Sequence, residues 1–167
     1  MSEIDSKHFR NVMGQVPTCV TVVTAMVADA DTGEDKPIAM VIGSFVSVSL
    51  DPPLAGFFCT TDSYSWGLLR SAKVMGVNVL GADQIDVSNA CMRELNQRFE
   101  GLDWSVVDGA PKIAGCTAWL TLTPNQVVVA GDHEFALCNV TSLDAADPAS
   151  EPVVFYGGGY RTLAAKA

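Results

Sequence analysis

The feature that most constrains the fold of this chain is a strand-like run that stops at a pair of prolines. Over residues 43–53, serines alternate with apolar side chains until the sequence Asp-Pro-Pro ends the run. Successive side chains of a β-strand point to opposite faces, so the pattern predicts that Ser47 and Ser49 share a face with Phe45 while Ser44 points to the other. Small side chains let such a backbone approach a flat ligand closely. The simpler interpretation is an ordinary serine-rich strand.

Strand-like runs of this kind occupy most of the chain. They are rich in Val, Ile, Thr and aromatic residues and are separated by segments with Gly, Pro, Asn or Asp, which is typical of strands joined by turns. An acidic turn at residues 29–37 is predicted to close one hairpin, and Pro124-Asn125 is predicted to join two strands of another. The predicted strands are residues 19–27, 38–50, 54–61, 74–80, 116–123, 126–130, 134–143 and 153–156.

Helical patterns are fewer and shorter than the strand patterns. Apolar residues at helical spacing predict a short helix over residues 9–13, and the segment 62–65 can cap a helix over 66–72. The strongest helix pattern covers residues 82–99 and ends at Gly101. We therefore expect a mainly β fold with peripheral helices, in which an antiparallel barrel closes the sheet and removes its exposed edges.

The composition predicts a single domain over residues 1–167 that shares an interface with a second copy. Hydrophobic residues make up 49% of the chain and charged residues only 17%, which favours a homodimer. The net charge of -9 argues against a nucleic-acid partner, because phosphate binding requires clustered Lys and Arg. The five cysteines are widely spaced and predict neither disulfides nor a zinc site. The mixed charges of residues 1–10 predict no signal peptide or membrane span and favour the cytoplasm.

Three further segments carry candidate functional side chains. His133 follows a Gly-Asp pair, where it can hydrogen-bond a substrate in a cleft or simply bond the neighbouring Asp132. The hydroxyl-rich residues 60–65 precede a helix start, which suits either a phosphate or a helix cap. Three glycines at 157–159 precede Tyr160. The sequence shows no nucleophile with a paired base and no carboxylate pair, so hydrolytic and metal-assisted chemistry is unsupported.

Together these segments resemble the flavin reductase family, the small reductase components of two-component monooxygenases. The resemblance covers nearly the whole chain and is carried by Phe9-Arg10 with Met13-Gly14, residues 20–24, Ser44-Phe45, residues 47–54, residues 77–80 with Gln84, Arg98-Phe99-Glu100-Gly101, Gly109-Ala110-Pro111, Gly131-Asp132-His133, and Tyr156 with Gly159-Tyr160. It implies an FMN-binding split β-barrel, antiparallel and Greek-key-like, that forms a homodimer. It also implies hydride transfer from NADH or NADPH to FMN or FAD, with reduced flavin passing to a partner monooxygenase.

The same resemblance implies roles for individual side chains. His133 would be the catalytic residue beside the nicotinamide, and Tyr160 would help to cover the site. The implied flavin-binding residues are Ser44, Phe45, Ser47, Ser49, Thr60, Ser63, Ser65 and Tyr160, with Ser63 and Ser65 near the phosphate. In such a reaction the cofactor carries the chemistry, and the protein aligns the nicotinamide with the flavin and excludes water.

The chain departs from the family pattern near the implied site, where Ala39-Met40-Val41 replaces Gly-x-Thr and Gly43 replaces a small polar residue. Val41 and Trp66 stand where threonine is usual, and Asp62 stands where Lys or Arg is common. These departures keep a second function open, a split-barrel enzyme with a remodelled pocket that acts on a specific small metabolite with or without flavin. A third function, a flavin carrier, would require tight flavin binding without reduction by any hydride donor.

Overall fold

The computed structural model describes residues 4–29, 32–146 and 151–163, so residues 30–31 of the predicted turn lie outside it, as do residues 1–3 and the two segments 147–150 and 164–167 of the predicted domain. The strands are β1 (Thr18–Cys19), β2 (Thr21–Ala28), β3 (Asp35–Ile42), β4 (Val46–Leu50), β5 (Pro53–Thr60), β6 (Met75–Val79), β7 (Trp104–Val107), β8 (Ala110–Ile113), β9 (Ala118–Ala130), β10 (His133–Ala145), β11 (Val153–Tyr156) and β12 (Gly159–Thr162). The helices are α1 (Ser6–Met13), α2 (Tyr64–Leu69) and α3 (Ile85–Cys91), and a 3-10 turn covers Leu95–Gln97.

Seven strands form one sheet in the order β3-β2-β6-β9-β10-β5-β4, and every pairing in it is antiparallel. Side chains from six of these strands and from α2 meet in one buried cluster that includes Val23, Phe57 and Leu122. The sheet therefore curls around its own inner face. Its edges, β3 and β4, do not pair with each other within the described residues, so the barrel is split rather than fully closed. The predicted mainly β antiparallel fold is confirmed.

A smaller layer covers the opposite side of β2 and β3. β1, β11 and β12 form a three-stranded sheet, and β7 pairs with β8 in a separate hairpin. A second cluster of buried side chains, among them Val22, Leu80 and Val153, fills the space between this layer and the main sheet. The predicted strand over residues 19–27 is divided, because β1 pairs with β11 while β2 belongs to the main sheet. Within the described ranges, no helix has the length and apolarity needed to cross a bilayer.

The prediction of one strand over residues 38–50 is wrong. β3 ends at Ile42 and pairs with β2, whereas β4 begins at Val46 and pairs with β5 at the other edge of the sheet. The intervening residues 43–45 carry the chain from one edge to the other. The strand-like composition continues through this crossing, so composition alone does not reveal the break.

The predicted turn at Pro124-Asn125 is also wrong, because β9 runs through it with only a bulge at Asn125, and the hairpin turn lies at Gly131, where φ is 68°. Proline removes a backbone donor and is normally excluded from central strands. Here the pairing of β9 with β6 ends at Leu122, so Pro124 lies where β9 has become an edge strand. A proline at that point loses no ladder hydrogen bond toward β6.

The long helix predicted over residues 82–99 is shorter than expected. α3 ends at Cys91, and Glu94 has an extended conformation (φ -52°, ψ 144°) before the 3-10 turn. This break redirects the chain so that the Arg98 side chain reaches the carbonyl of Ala39 on β3 at 2.6 Å. A contact to a distant strand therefore overrides the local helical periodicity.

Candidate functional site

The serine-bearing segment lies at an edge of the main sheet. β4 pairs with β5 on one side, and within the described residues no strand pairs with its other side. Ser44 precedes β4, and its hydroxyl accepts a hydrogen bond from the Phe58 N–H at 2.9 Å and donates one to the Phe58 carbonyl at 3.2 Å. Phe45 packs against the main core. The hydroxyl of Ser44 is thus used to join the segment to β5, and the outer backbone edge of β4 is available to a ligand.

The prediction that Ser47 and Ser49 share one face is wrong. Ser47 pairs with Ala55 and Ser49 pairs with Leu54, because the register shifts between the two serines. Such a bulge inserts an extra residue, here Val48, into one strand of the pair. Adjacent residues of β5 point to opposite faces, so their two serine partners do as well.

Helix α2 begins in the loop that carries the predicted phosphate-binding serines. Ser63 is its N-cap residue, and its hydroxyl accepts a hydrogen bond from the Trp66 N–H at 3.2 Å. Ser65 is buried and accepts a hydrogen bond from the Arg98 guanidinium at 2.7 Å. Asp62 is exposed. The helix-cap interpretation is therefore confirmed for Ser63, and Ser65 is held by a cation that the sequence analysis did not connect to it.

The half-buried Arg98 guanidinium contacts several segments of the chain around the start of α2. Its Nη1 donates to the carbonyl of Ala39 at 2.6 Å and to Ser65 Oγ at 2.7 Å, and its Nε donates to the Arg93 carbonyl at 2.9 Å. A guanidinium carries five N–H donors, so the two on Nη2 are left without a protein acceptor among the described residues. No carboxylate in the described ranges pairs with Arg98. Its charge is thus available to an anion.

His133 begins β10, directly opposite Thr60 at the end of β5. Its Nδ1 hydrogen-bonds Asp132 Oδ1 at 2.7 Å, and the Thr61 N–H donates to the Asp132 carbonyl at 3.1 Å. The hydrogen bond with His133 holds the pKa of the exposed Asp132 carboxyl below its usual value. The alternative in which His133 bonds its neighbour is therefore observed, and it leaves Nε2 as the imidazole atom that can contact a ligand.

Tyr160 lies on β12 and lines a groove of about 200 Å³ beside the start of the serine-bearing segment. Its hydroxyl is 2.8 Å from Ser88 Oγ, and its ring packs edge-on against Phe155 with centroids 5.7 Å apart. These contacts fix the ring as one wall of the groove. This Tyr160 groove is lined by Thr18, Cys19, Val20, Val41, Ile42, Gly43, Met92, Phe155 and Tyr160.

These features fit a flavin. A flat ring system needs apolar cover together with backbone polar groups at its edge, and the Tyr160 groove lies next to the crossing between the two edge strands of the main sheet. A phosphate needs cationic N–H donors, and Arg98 Nη2 supplies two. The described part of the chain contains no group of His, Cys, Asp and Glu residues that could hold a metal ion.

Comparison with known proteins identifies the family. Residues 13–164 match the model of the flavin reductase like domain. The chain belongs to the flavin reductase family. It is 39% identical to a flavin reductase of Pseudomonas putida over 165 residues, covering 98% of this chain and 94% of that protein. It is 34% identical to HsaB of Mycobacterium tuberculosis, the reductase subunit of a flavin-dependent monooxygenase, covering 95% of this chain and 83% of that protein.

A solved structure gives the same assignment of the fold. The NADH:FAD oxidoreductase SgcE6 of Streptomyces globisporus, in complex with NAD and FAD fragments, superimposes with a TM-score of 0.87 at 32% sequence identity. The match covers 100% of this flavin reductase family member and 99% of SgcE6. The resemblance inferred from the sequence motifs is therefore confirmed, and so is the split-barrel fold.

Trp66, one of the departures from the family pattern, lies in the core. The indole is 2% exposed and packs edge-on against Phe57, with ring centroids 5.8 Å apart. Its Nε1 donates to Glu134 Oε2 at 2.6 Å, and Arg70 donates to the same oxygen at 3.1 Å. Trp66 therefore points into the core and gives no support to a remodelled substrate pocket.

The roles of two residues near the start of α2 were not identified from the sequence. Arg98 was part of the family resemblance, but its periodicity placed it on a helix, and no role followed from that position. Glu134 had no sequence signal, because its partners Trp66 and Arg70 lie 68 and 64 positions away. Only the strand pairing that sets β10 beside β5 brings these groups together.

Proposed function

We propose that this chain is an NAD(P)H-dependent flavin reductase that transfers a hydride to FMN or FAD and supplies reduced flavin to a partner monooxygenase. Membership of the family supports the oxidoreductase activity. The description of SgcE6 as an NADH:FAD oxidoreductase supports a nicotinamide donor and a flavin acceptor. The description of HsaB as the reductase subunit of a monooxygenase supports an oxygenase partner.

The proposed flavin site runs from the Tyr160 groove to Arg98. Apolar side chains of the groove cover the ring system, and the backbone around Ser44 and Phe45 contacts its polar edge, together with the outer backbone edge of β4 at Ser47 and Ser49. Arg98 Nη2 donates to the phosphate beside Ser63 and Ser65 at the start of α2. In this proposal Ser65 acts by orienting the guanidinium, since its hydroxyl already accepts from Arg98.

The proposed role of His133 is to align the nicotinamide. Acceptance of a hydride from NADH or NADPH is the chemistry that the flavin supplies when it is bound. Nε2 of His133 hydrogen-bonds the carboxamide, while Asp132 fixes the ring orientation through Nδ1. Thr60, opposite His133, adds a hydroxyl at the same end of the sheet. Tyr160 covers the site and excludes water, which favours close stacking of the two rings. No side chain is required to act as a general acid or base.

The observation that carries this proposal is the half-buried Arg98 guanidinium, fixed by three hydrogen bonds and lacking a carboxylate partner among the described residues. We test it by measuring flavin dissociation constants and aerobic NADH oxidation with FMN and with FAD. Charge-assisted hydrogen bonds contribute about 1.5–3 kcal/mol, so we expect Arg98→Ala to weaken flavin binding by about tenfold or more. Arg98→Lys should retain part of the affinity.

Arg93→Ala is the matched control for this experiment. Arg93 is exposed, and among the described residues its guanidinium makes one long hydrogen bond, to the Glu100 carbonyl at 3.4 Å. We expect its flavin affinity to equal that of the wild type, with thermal melts reporting the folding of each variant. Wild-type flavin affinity in a folded Arg98→Ala protein would refute the phosphate role. A wild-type protein that oxidises no nicotinamide with either flavin would refute the reductase function.

We propose that the protein forms a homodimer and acts in the cytoplasm, where NADH and a monooxygenase partner are available. An apolar surface on the outer side of the sheet supports the dimer. Phe58, Phe135 and Val128 lie side by side in register on β5, β10 and β9, and Val46 and Leu137 flank Gly56 on the same face. Phe58, Val46 and Val128 are 41%, 45% and 43% exposed. We call these five side chains the outer apolar face, and a surface of this kind favours a protein partner.

A further inference from the structure

A buried hydrogen bond joins helix α2 to strand β10. The indole Nε1 of Trp66 donates to Glu134 Oε2 at 2.6 Å, and the Trp66 side chain is almost fully buried. The Glu134 side chain is 12% exposed, and its ion-pair partner among the described residues is Arg70, whose Nη1 lies 3.1 Å from the same oxygen. Glu134 pairs with Cys59, whose side chain lies in the main core. We call this contact the α2–β10 hydrogen bond.

The two partners of the α2–β10 hydrogen bond are sequence neighbours of proposed site residues. Trp66 follows Ser65, whose hydroxyl accepts a hydrogen bond from Arg98 at 2.7 Å in the proposed flavin phosphate site. Glu134 follows His133, the residue proposed to align the nicotinamide. The α2–β10 hydrogen bond therefore connects the segment proposed to hold the flavin phosphate with the segment proposed to hold the hydride donor.

Helix α2 depends on contacts with the rest of the protein for its position. It has six residues, and a helix this short is not stable by itself in water, so tertiary contacts set its orientation. Its side chains Trp66 and Leu69 pack in the main core, and such apolar contacts are not directional. A hydrogen bond has a preferred length and angle. The α2–β10 hydrogen bond therefore fixes the distance between the helix and one residue of β10.

Stability alone does not account for a carboxylate at this position. Burial of a carboxylate carries a desolvation cost that can exceed its attraction to Arg70, and apolar residues of similar volume often fill such a position equally well. Trp66 is itself a departure from the family pattern, in which threonine is usual at this position. A threonine hydroxyl is attached directly to Cβ, so it does not reach as far as the indole N–H. The pair is therefore better explained by the geometry that it imposes.

We propose that Glu134 is a positioning residue for hydride transfer, which holds α2 and the flavin phosphate site at a fixed distance from His133 through its hydrogen bond to Trp66. The proposal rests on the reductase function. Hydride transfer requires close alignment of the nicotinamide and the flavin, and a misplacement of about 1 Å can slow such a reaction about a hundredfold. The Glu134 carboxylate lies on the opposite face of β10 from the His133 side chain, so it acts through its neighbours and not on the rings.

The test replaces both partners of the α2–β10 hydrogen bond by apolar side chains, in the double variant Trp66→Phe/Glu134→Leu. Removing both partners leaves neither of them unpaired, so we expect a melting temperature close to that of the wild type. The anaerobic rate of flavin reduction by saturating NADH, followed by the loss of visible absorbance of FMN and of FAD, should fall about tenfold. The flavin dissociation constant should change by less than about threefold, because Arg98 keeps its hydrogen bonds to Ala39 and Arg93.

Two single variants keep the test decisive if the double variant does not fold. Trp66→Phe removes the N–H donor and keeps a ring beside Phe57, so it should also slow flavin reduction about tenfold. Glu134→Gln keeps an oxygen that can accept from Trp66, so it should retain at least about half of the wild-type rate. Phe57→Leu is the matched control, because Phe57 packs edge-on against the same indole and takes no part in the hydrogen bond. It should lower the melting temperature and leave the rate unchanged.

A merely structural role of Glu134 predicts different rates. If the folded double variant or folded Trp66→Phe reduced flavin as fast as the wild type, the positioning role would be overturned. A Glu134→Gln variant as slow as Trp66→Phe would also overturn it, and so would equal slowing in Phe57→Leu, because any disturbance of the core would then suffice. The reductase function fails separately, if the wild type reduces neither flavin with a nicotinamide donor.

Discussion

The inner and outer faces of β5 and β10 carry similar apolar side chains, but the inner face is buried and the outer face is exposed. Phe57 is completely buried and packs edge-on against Trp66, whereas its neighbour Phe58 is 41% exposed and packs against Phe135 with centroids 4.8 Å apart. Strands with one solvated face normally place polar residues on it. The outer face is instead apolar, so the difference between the two faces lies in what covers them. The inner face has its own core, and the outer face is available to a partner.

The largest expected effect follows from removing a ring on the inner face. Phe57→Ala leaves a cavity among buried side chains that cannot collapse fully, and such changes cost about 3–5 kcal/mol. We expect urea denaturation, followed by circular dichroism, to show a loss of this size in the free energy of unfolding. Phe58→Ala is the control on the next residue of the same strand and should cost less than about 2 kcal/mol. Equal losses in the two variants would contradict the distinction between the faces.

The outer face is tested by its effect on assembly. We expect the wild type to sediment as a dimer and Phe58→Glu to sediment as a folded monomer at micromolar concentration, because a charge would be buried in an apolar interface. A change of about 2.7 kcal/mol corresponds to a hundredfold weaker dimer. Val106→Glu is the control, since Val106 is 53% exposed on the separate β7–β8 hairpin. A dimer that persists in Phe58→Glu, or a monomeric wild type, would remove the outer apolar face from the proposed interface.

The sequence was sufficient to predict features that depend on neighbouring residues. Strand-like composition and turn residues identified most strands of the main sheet. The segment 62–65 was correctly offered as a helix cap, because the hydrogen bond of Ser63 to Trp66 spans only three residues. The single strand over residues 38–50 and the turn at Pro124 were wrong, because both depend on which strand lies alongside. Pro124 is tolerated only because β6 does not extend that far along β9.

The candidate site also depends on contacts between distant parts of the chain, which local sequence patterns do not predict. The roles inferred for His133 and Tyr160 came from motifs shared with a family, and the groups that surround them come from distant parts of the chain. Tyr160 bonds Ser88, 72 positions away. Arg98 was placed on a helix by its local pattern, but it lies beyond the end of α3 and contacts Ala39 and Ser65. Pairwise contacts over such distances are set by the completed sheet and not by local propensity.

The smallest expected effect is on the pH dependence of stability, and it arises from the buried thiols of the inner face. Burial, together with the charge of Glu134, raises the pKa of Cys59 to about 12, and burial raises that of Cys138 to about 11. Both thiols titrate near 9 in an unfolded chain. Between pH 9 and about 12 the unfolded chain therefore loses protons that the folded protein keeps, so the free energy of unfolding falls as the pH rises.

We expect Cys59→Ala to reduce this alkaline loss of stability, measured as the slope of the free energy of unfolding against pH from 9 upward. Phe58→Ala should leave the slope unchanged, because the outer face carries no thiol on β5. Glu134→Gln gives an intermediate case. Removing the charge of Glu134 should lower the pKa of Cys59, and the slope should then flatten, but less than in Cys59→Ala. If Cys59→Ala kept the full wild-type slope, the thiol of Cys59 would not be held neutral by the core. The contrast between the two faces would then rest on packing alone.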